Sequence, residues 1–300
     1  MASRRLLLAT PALWLSRDAR AARWPRMVVD GLGREVTLPA PPRRIVAIFS
    51  SNVELLAAIG ALDAIVGVED FTRFPPQAAA LPKVGGRLGF SAEAIARLRP
   101  DLVVMTPARN AAHALSEPMA RIGVPVLVIT HRDLAQVLGN LRLLGRATGQ
   151  DGAAEALVGR LEARLAAVAT RLAGRAAVPV FLETSSTGRG VFGTVRPGTY
   201  TADALALAGG ASVFPDLSAV GPAQVSGEAI LRADPAAYLL AGRADQLAEV
   251  PRRTGFQGLR AVREGRLHLV ARAQFLIPGP RVVDGVEALA RWLHPGAFAT

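Results

Sequence analysis

Arginine supplies most of the chemistry this chain could do. Lys and Arg number 35 against 24 acidic residues, a formal charge of +11 over 300 positions. Several arginines sit in glycine-rich or loop-like stretches: Arg73, Arg87 within Gly85-Gly86-Arg87-Leu88-Gly89, Arg109 before Asn110, Arg189 within Gly188-Arg189-Gly190, Arg196 before Pro197, and Arg272. A guanidinium is a planar fork of donors that suits anionic or carbonyl oxygens. A few of them converging on one place would attract and orient an oxygen-rich small molecule. The alternative for each arginine taken singly is plain solvent exposure. No run of five or more like charges occurs, so the excess reads as a solvated surface and no nucleic-acid partner is expected.

Covalent and metal chemistry find less support. Cysteine is absent, which excludes disulfides, thiolate metal sites and cysteine nucleophiles. His113, His131, His268 and His294 show no paired metal-ligand spacing, so no site for a bare metal ion is expected. Gly188-Arg189-Gly190-Val191-Phe192-Gly193 satisfies G-x-G-x-x-G, but a dinucleotide site needs a helix to start there, and Pro197 and Gly198 interrupt it. No G-x-S-x-G elbow, phosphate-cradling loop or H-E-x-x-H motif is present. Ser50-Ser51 has no histidine nearby in sequence. The chain is therefore expected not to be an enzyme and to carry no cofactor. An α/β hydrolase or a ligand-sensing receptor are the readings from other classes.

The elements that would position these residues follow from hydrophobic patterning. Short apolar runs at 45–49, 64–68, 101–105 and 125–129 alternate with helical stretches at 52–59 and around 114–122, the signature of parallel βα units. Their continuous apolar character is that of strands buried on both faces. From Gly149 to Gly174, Leu157, Leu161, Leu165, Val168 and Leu172 recur at helical spacing, predicting one long amphipathic helix of about 35 Å. The alternation then resumes, with strands at 178–182, 237–241 and 267–270 and helices at 201–208 and 283–293. The predicted architecture is α/β: a lobe over 43–148, a connecting helix over 149–175, and a second lobe over 176–300. An internal echo links the halves. Ser91-Ala-Glu93-Ala-Ile-Ala-Arg-Leu-Arg-Pro100 and Ser226-Gly-Glu228-Ala-Ile-Leu-Arg-Ala-Asp-Pro235 agree at six of ten positions. Each begins with a residue able to cap a helix, has an acid in the first turn, and stops at proline.

The first 22 residues differ from the rest. Arg4 and Arg5 precede an apolar run, and Ala19-Arg20-Ala21 offers a cleavage pattern, so residues 1–22 read as a signal peptide. The pair of arginines leaves both the general and the twin-arginine export routes open. Removing this segment takes away four Arg and one Asp and leaves a charge of +8, which still favours anionic partners. No apolar stretch reaches the roughly 20 residues needed to span a bilayer. Lacking a cysteine for lipid attachment, the exported chain is expected in a periplasm.

Arg43-Arg-Ile-Val-Ala-Ile48 through Asn52-Val-Glu54, then Ala64-Ile-Val-Gly-Val68, Phe74-Pro75-Pro76, Lys83-Val-Gly85, Ser91-x-Glu93-x-Ile95 and Arg99-Pro-Asp-Leu-Val-Val104, stand in an order that resembles a known family. So do Gly123-Val-Pro-Val126, Gly198-Thr199, Ala208-Gly-Gly210, Ser226-x-Glu228 and Phe256. The family is that of the iron-siderophore and cobalamin periplasmic solute-binding proteins of ABC importers, and the similarity runs from Arg43 to Leu293. The resemblance implies two Rossmann-like lobes with parallel sheets joined by one helix that bends little. It also implies a ligand held in the cleft between the lobes, and a monomer docking on an inner-membrane ABC permease dimer. Glu93 and Glu228 match the family's acidic docking residues, one per lobe.

In such folds the crevice forms at loops after the C-terminal ends of the strands. That gives Ser50, Ser51 and Asn52, then Phe71, Arg73 and Phe74, then Arg87 and Arg109 on the first lobe. Arg189, Arg196, Tyr200, Arg272 and Phe275 are the candidates on the second. Resemblance to hydroxamate binders puts Arg87 first, because they often carry an arginine in this loop, whereas cobalamin binders tend to carry an aromatic. The expected cargo is thus a ferric siderophore-type chelate, with cobalamin as an alternative. Haem is another, with Tyr200 or His113 on the iron and arginines on the propionates.

Overall fold

The structure, a computed structural model, describes residues 24–86, 89–106, 111–218 and 221–299. The expected signal peptide, Arg87 and Arg109 lie outside the described residues, as does the side chain of His113.

An antiparallel hairpin, β1 (Arg26–Val29) and β2 (Glu35–Leu38), comes first. Asp30 turns it by accepting from the backbone amides of Leu32 and Arg34, both at 2.9 Å. Sequence patterning missed this hairpin because each strand is only four residues long. The first lobe follows with β3 (Ile45–Ala47), α1 (Ser50–Ala58), β4 (Ile65–Val68), α2 (Pro76–Ala79), and the short strands β5 (Gly85–Gly86) and β6 (Gly89–Phe90). It is completed by α3 (Ala92–Arg97), β7 (Leu102–Met105), α4 (Ala111–Arg121) and β8 (Val126–Val128). Strands β4-β3-β7-β8 form a parallel sheet in that order. Every residue of β3, β7 and β8 is buried, which is why their sequences read as unbroken apolar runs.

The chain leaves this sheet on two helices, α5 (Leu134–Thr148) and α6 (Asp151–Leu172). The long helix predicted between Gly149 and Gly174 is the second of these. Gly149 stops α5 in the left-handed region at φ 78°, a conformation that costs glycine little. Gly145 lets the two helices touch: a Cβ there would stand 2.5 Å from that of Ala154.

The second lobe contains β9 (Val178–Glu183), β10 (Ser185–Ser186), β11 (Val191–Gly193), α7 (Tyr200–Leu207), β12 (Gly210–Ser212), β13 (Gln224–Ser226) and α8 (Gly227–Ala233). After these come β14 (Ala237–Leu240), α9 (Ala244–Ala248), α10 (Arg260–Arg263), β15 (Leu267–Leu269), α11 (Arg272–Phe275) and α12 (Val282–Leu293). Strands β12-β9-β14-β15 form the second parallel sheet, and β10-β11-β13 a small antiparallel one. The order of strands is the same in both lobes: second, first, third, fourth.

One apolar core runs through both lobes, from Ile45, Leu102 and Leu127 through Leu141, Leu144, Val158 and Leu161 to Val180, Leu239 and Leu289. Each buried leucine or valine contributes about 1.5–3 kcal/mol, so separating the lobes would expose side chains that neither lobe can cover alone. Arg164 on α6 ties the connector to α12 through Asp284 and Glu287, each at 2.7 Å.

Candidate functional site

Two contacts join segments of the two lobes that follow strands of the parallel sheets. Glu54 on α1, buried, accepts from Nε of Arg281 at 2.8 Å and from its Nη2 at 2.5 Å. The Arg281 guanidinium also covers the ring of Phe74 at 4.1 Å. At the second contact the backbone amide of Leu134 donates to Asp203 of α7 at 2.9 Å. Burial pushes the Glu54 carboxyl above its ordinary range, although the hydrogen bonds and charge of Arg281 oppose the rise. A residue 227 positions away cannot be paired with Glu54 by reading sequence, and sequence analysis missed this interlobe ion pair.

On the first lobe the rim is polar and pre-ordered. Phe49 follows β3 with φ 75°, a conformation that costs a non-glycine residue about 1–3 kcal/mol. Its ring packs edge-on against Phe90 at 5.6 Å. The turn presents Ser50 to Glu69, the first residue after β4, whose Oε1 accepts from the Ser50 amide at 2.7 Å and hydroxyl at 2.9 Å. Below it, Asn52 Nδ2 donates to Ile48 O at 2.7 Å and to Thr106 Oγ1 at 3.2 Å. Thr106 continues to His131 Nε2, and Asn140 stands on the other ring nitrogen, both at 3.2 Å. Burial lowers the His131 pKa to about 4, so the ring is neutral at pH 7. Phe71 and Phe74 are 50% and 42% exposed, unusual for residues of their size.

On the second lobe, Arg272 follows β15 and its Nη1 donates to the carbonyls of Thr184 and Ala241 at 3.0 and 2.9 Å. Those carbonyls close the ends of β9 and β14, so the cation sits where two strand ends leave orphan acceptors. Arg189 is exposed in the turn between β10 and β11. Gly188 and Gly190 there adopt φ of 72° and 70°, and strand rather than helix follows. The G-x-G-x-x-G run is therefore a hairpin, not the strand-to-helix turn that a dinucleotide site is built on. Arg196 donates through Nη2 to Gly221 O, and its buried Nε has no partner among the described residues. Tyr200 is half-buried, with its phenol pushed above the ordinary range by burial.

Not all expected site residues face a cleft. Phe275 is 1% exposed in the shared core, its ring beneath Gly285, and its carbonyl accepts from the buried Thr201 hydroxyl. Asn52 is fully buried and Ser51 5% exposed, so both shape the turn rather than stand open on it. These three are corrections: Ser51 and Asn52 lie on the buried side of α1 and Phe275 ends α11 facing the core, so position after a strand does not by itself open a side chain to ligand. Phe71, Arg189 and Arg272 are exposed, and Arg196 and Tyr200 partly so. Glu69 was missed, although an acid immediately after an apolar strand is a visible signal.

The two expected docking residues occupy equivalent places. Glu93 lies in the first turn of α3 and Glu228 in the first turn of α8, and each helix leads into the third strand of its sheet. Both are exposed. Among the described residues no group of three or more His, Cys, Asp or Glu could hold a metal ion, and no helix is long and apolar enough to cross a membrane.

Two parallel sheets of like strand order, joined by α5 and α6 over one shared core, make a bilobal α/β protein. The family model described as periplasmic binding protein matches residues 45–271, and the chain belongs to that family. It is 26% identical over 291 residues to the Bacillus subtilis (strain 168) "uncharacterized ABC transporter substrate-binding lipoprotein YvrC", covering 94% of this chain and 91% of that one. It is 30% identical over 215 residues to the "vitamin B12-binding protein" of Salmonella choleraesuis (strain SC-B67), covering 72% of this chain and 78% of the relative. A solved structure from Saccharomonospora viridis, described as an "ABC-type Fe3+-hydroxamate transport system", superposes with a TM-score of 0.70 at 24% identity, covering 93% of this chain and 100% of that one. The chain is thus a substrate-binding protein of the kind that serves ABC importers, and its relatives are solute-binding proteins rather than enzymes.

Proposed function

We propose that this protein works in the periplasm, captures a ferric siderophore-type chelate between its lobes, and delivers it to an ABC permease dimer through Glu93 and Glu228. The equivalence of α3 and α8 carries the delivery half. A dimeric permease with two related subunits needs like contacts from two lobes. The chain supplies them as exposed acids on helices with the same cap, the same buried isoleucine and the same place in the sheet order. The capture half rests on Arg272 and Arg189 on the second lobe and on the exposed rings of Phe71 and Phe74 on the first. A cation fixed at one rim and apolar faces at the other suit an anionic chelate with a hydrocarbon shell. Arg87 and Arg109 are proposed to add to the cationic rim.

Cobalamin is the second reading, favoured by the 30% identity to a vitamin B12-binding protein. Calorimetric titration of the mature chain with a ferric hydroxamate, a ferric catecholate, haem and cyanocobalamin separates the two. Saturation by a ferric chelate at micromolar or tighter Kd is the expected result, and saturation by cyanocobalamin alone would overturn it. The variant Glu93→Ala/Glu228→Ala is expected to bind that ligand as the parent does while supporting no permease-dependent uptake. Loss of binding itself would remove the docking assignment.

A further inference from the structure

Behind α8 lies a buried charge that capture does not use. Glu183 ends β9 with its side chain 3% exposed, and it is gripped by Arg253 at 2.6 Å through Nη1 and 3.2 Å through Nη2. The Tyr238 hydroxyl closes the triangle, 2.5 Å from Glu183 and 2.8 Å from Arg253. The guanidinium also lies 4.9 Å from the ring centroid of Phe192 and 5.8 Å from that of Phe256. Those two rings, 5.5 Å apart, are the surface on which α8 begins: a Cβ on Gly227 would stand 3.6 Å from each. The Gly227 amide is pinned to Gly190 O at 2.9 Å, and Gly255, two residues beyond Arg253, lies against Leu231 on the same helix. A buried ion pair is weak evidence for stability, because an apolar replacement of similar volume often serves as well. Its retention calls for another reason, and fixing one arrangement is the usual candidate.

We infer that Arg253 is a positioning residue for the second-lobe permease contact. Held by Glu183 and Tyr238, it sets the two aromatic rings under Gly227 and so fixes the direction in which α8 presents Glu228. The first lobe differs: Ile95 of α3 shares a cluster with Val46, Ile48, Val84 and Val103 whose fully buried members are aliphatic and include no charged residue, with Phe49 and Phe90 only at its edge. The inference rests on the docking reading of Glu228.

Arg253→Ala alone would strand Glu183 and threatens folding, so the test uses Glu183→Gln/Arg253→Met, which removes both charges and nearly keeps the volume. Two quantities are measured on ligand-free protein. These are amide hydrogen exchange in α8 and α3, and affinity for the cognate permease in nanodiscs, with Glu228→Ala run alongside. Exchange about tenfold faster in α8 with α3 unchanged, and permease affinity about tenfold weaker, are expected. Exchange unchanged in α8, or faster throughout the second lobe, would overturn the brace. Faster α8 exchange with unaltered permease affinity, while Glu228→Ala weakens it, would overturn the link from brace to docking. An inert Glu228→Ala would instead overturn the docking assignment and, with it, the functional half of this inference.

Discussion

The two lobes are built to one plan and filled differently. In each, a serine caps the helix that leads into the third strand: Ser91 Oγ accepts from the Ala94 amide at 3.1 Å, Ser226 Oγ from the Ala229 amide at 3.2 Å. Each helix buries one isoleucine completely, Ile95 or Ile230. Each ends with a non-glycine residue at positive φ before proline, Arg99 at 46° and Asp234 at 40°. Beneath these shared features the beds diverge, aliphatic under α3 and aromatic with a buried ion pair under α8. The echo therefore survives where backbone geometry dictates residue type: a cap, a first-turn acid, a chain reversal. It vanishes where only volume had to be filled, since many side-chain sets fill a volume.

The largest effect that could break this contrast is on stability. Arg253→Ala leaves a buried carboxylate unpaired and is expected to cost about 3–5 kcal/mol. In the first lobe the arginine beside the docking acid, Arg97, pairs with Glu93 at 74% and 76% side-chain exposure, so Arg97→Ala should cost no more than about 0.5 kcal/mol. Urea unfolding of both variants reads the difference, and equal midpoints would mean that the second lobe's brace is as slight as a surface pair.

Acid should distinguish the lobes next. His131, inside the first lobe's rim, has its pKa lowered by burial to about 4, from about 6.5 for a free imidazole. On lowering the pH the unfolded chain takes up the proton first. Stability supplied by the neutral ring is therefore complete above pH 6.5, falls as the pH drops, and is gone near pH 4. A shift of this size corresponds to about 3 kcal/mol. His131→Gln should flatten that part of the pH–stability curve. If it leaves the slope intact, another group is responsible, with His268, whose pKa burial also lowers, the first to replace.

The shared part of the plan makes a milder prediction. Ile95→Val and Ile230→Val remove the same methylene from equally buried sites and should each cost about 1 kcal/mol. The aliphatic bed should tolerate the change better than the aromatic one, because flexible methyls relax into a gap that rings held by Arg253 cannot follow. A larger loss at Ile95 would reverse that expectation.

How much of this was open to reading follows the same division. Strands β3, β7, β9 and β14 were legible because burial on both faces leaves unbroken apolar runs, and α6 because one face repeats leucine at helical spacing. The helices α3 and α8 were legible because caps and prolines punctuate them. Strands of two or three residues such as β5, β10 and β12 have too few side chains to show a period. Glu54 with Arg281 and Glu183 with Arg253 were illegible for a different reason: ion pairs joining distant residues depend on the fold itself. Phe275 was misread because, six places past β15, it turns inward or outward with the helix that carries it, and α11 turns it in.

The smallest effect concerns the two acids themselves. Glu93 shares its charge with Arg97 at 2.5 Å. Glu228 is held below the ordinary carboxylate range first by the Ser226 hydroxyl, then by its own backbone amide, with Arg232 contributing least. Ser91→Ala and Ser226→Ala should each cost about 1 kcal/mol as lost helix caps, and the second should also release Glu228. An NMR titration of the Glu228 carboxyl in Ser226→Ala is therefore expected to show its pKa move upward, back toward the ordinary carboxylate range. A Glu228 carboxyl that does not move would mean that Ser226 serves only the helix. The two docking helices would then be alike in everything but the bed beneath them.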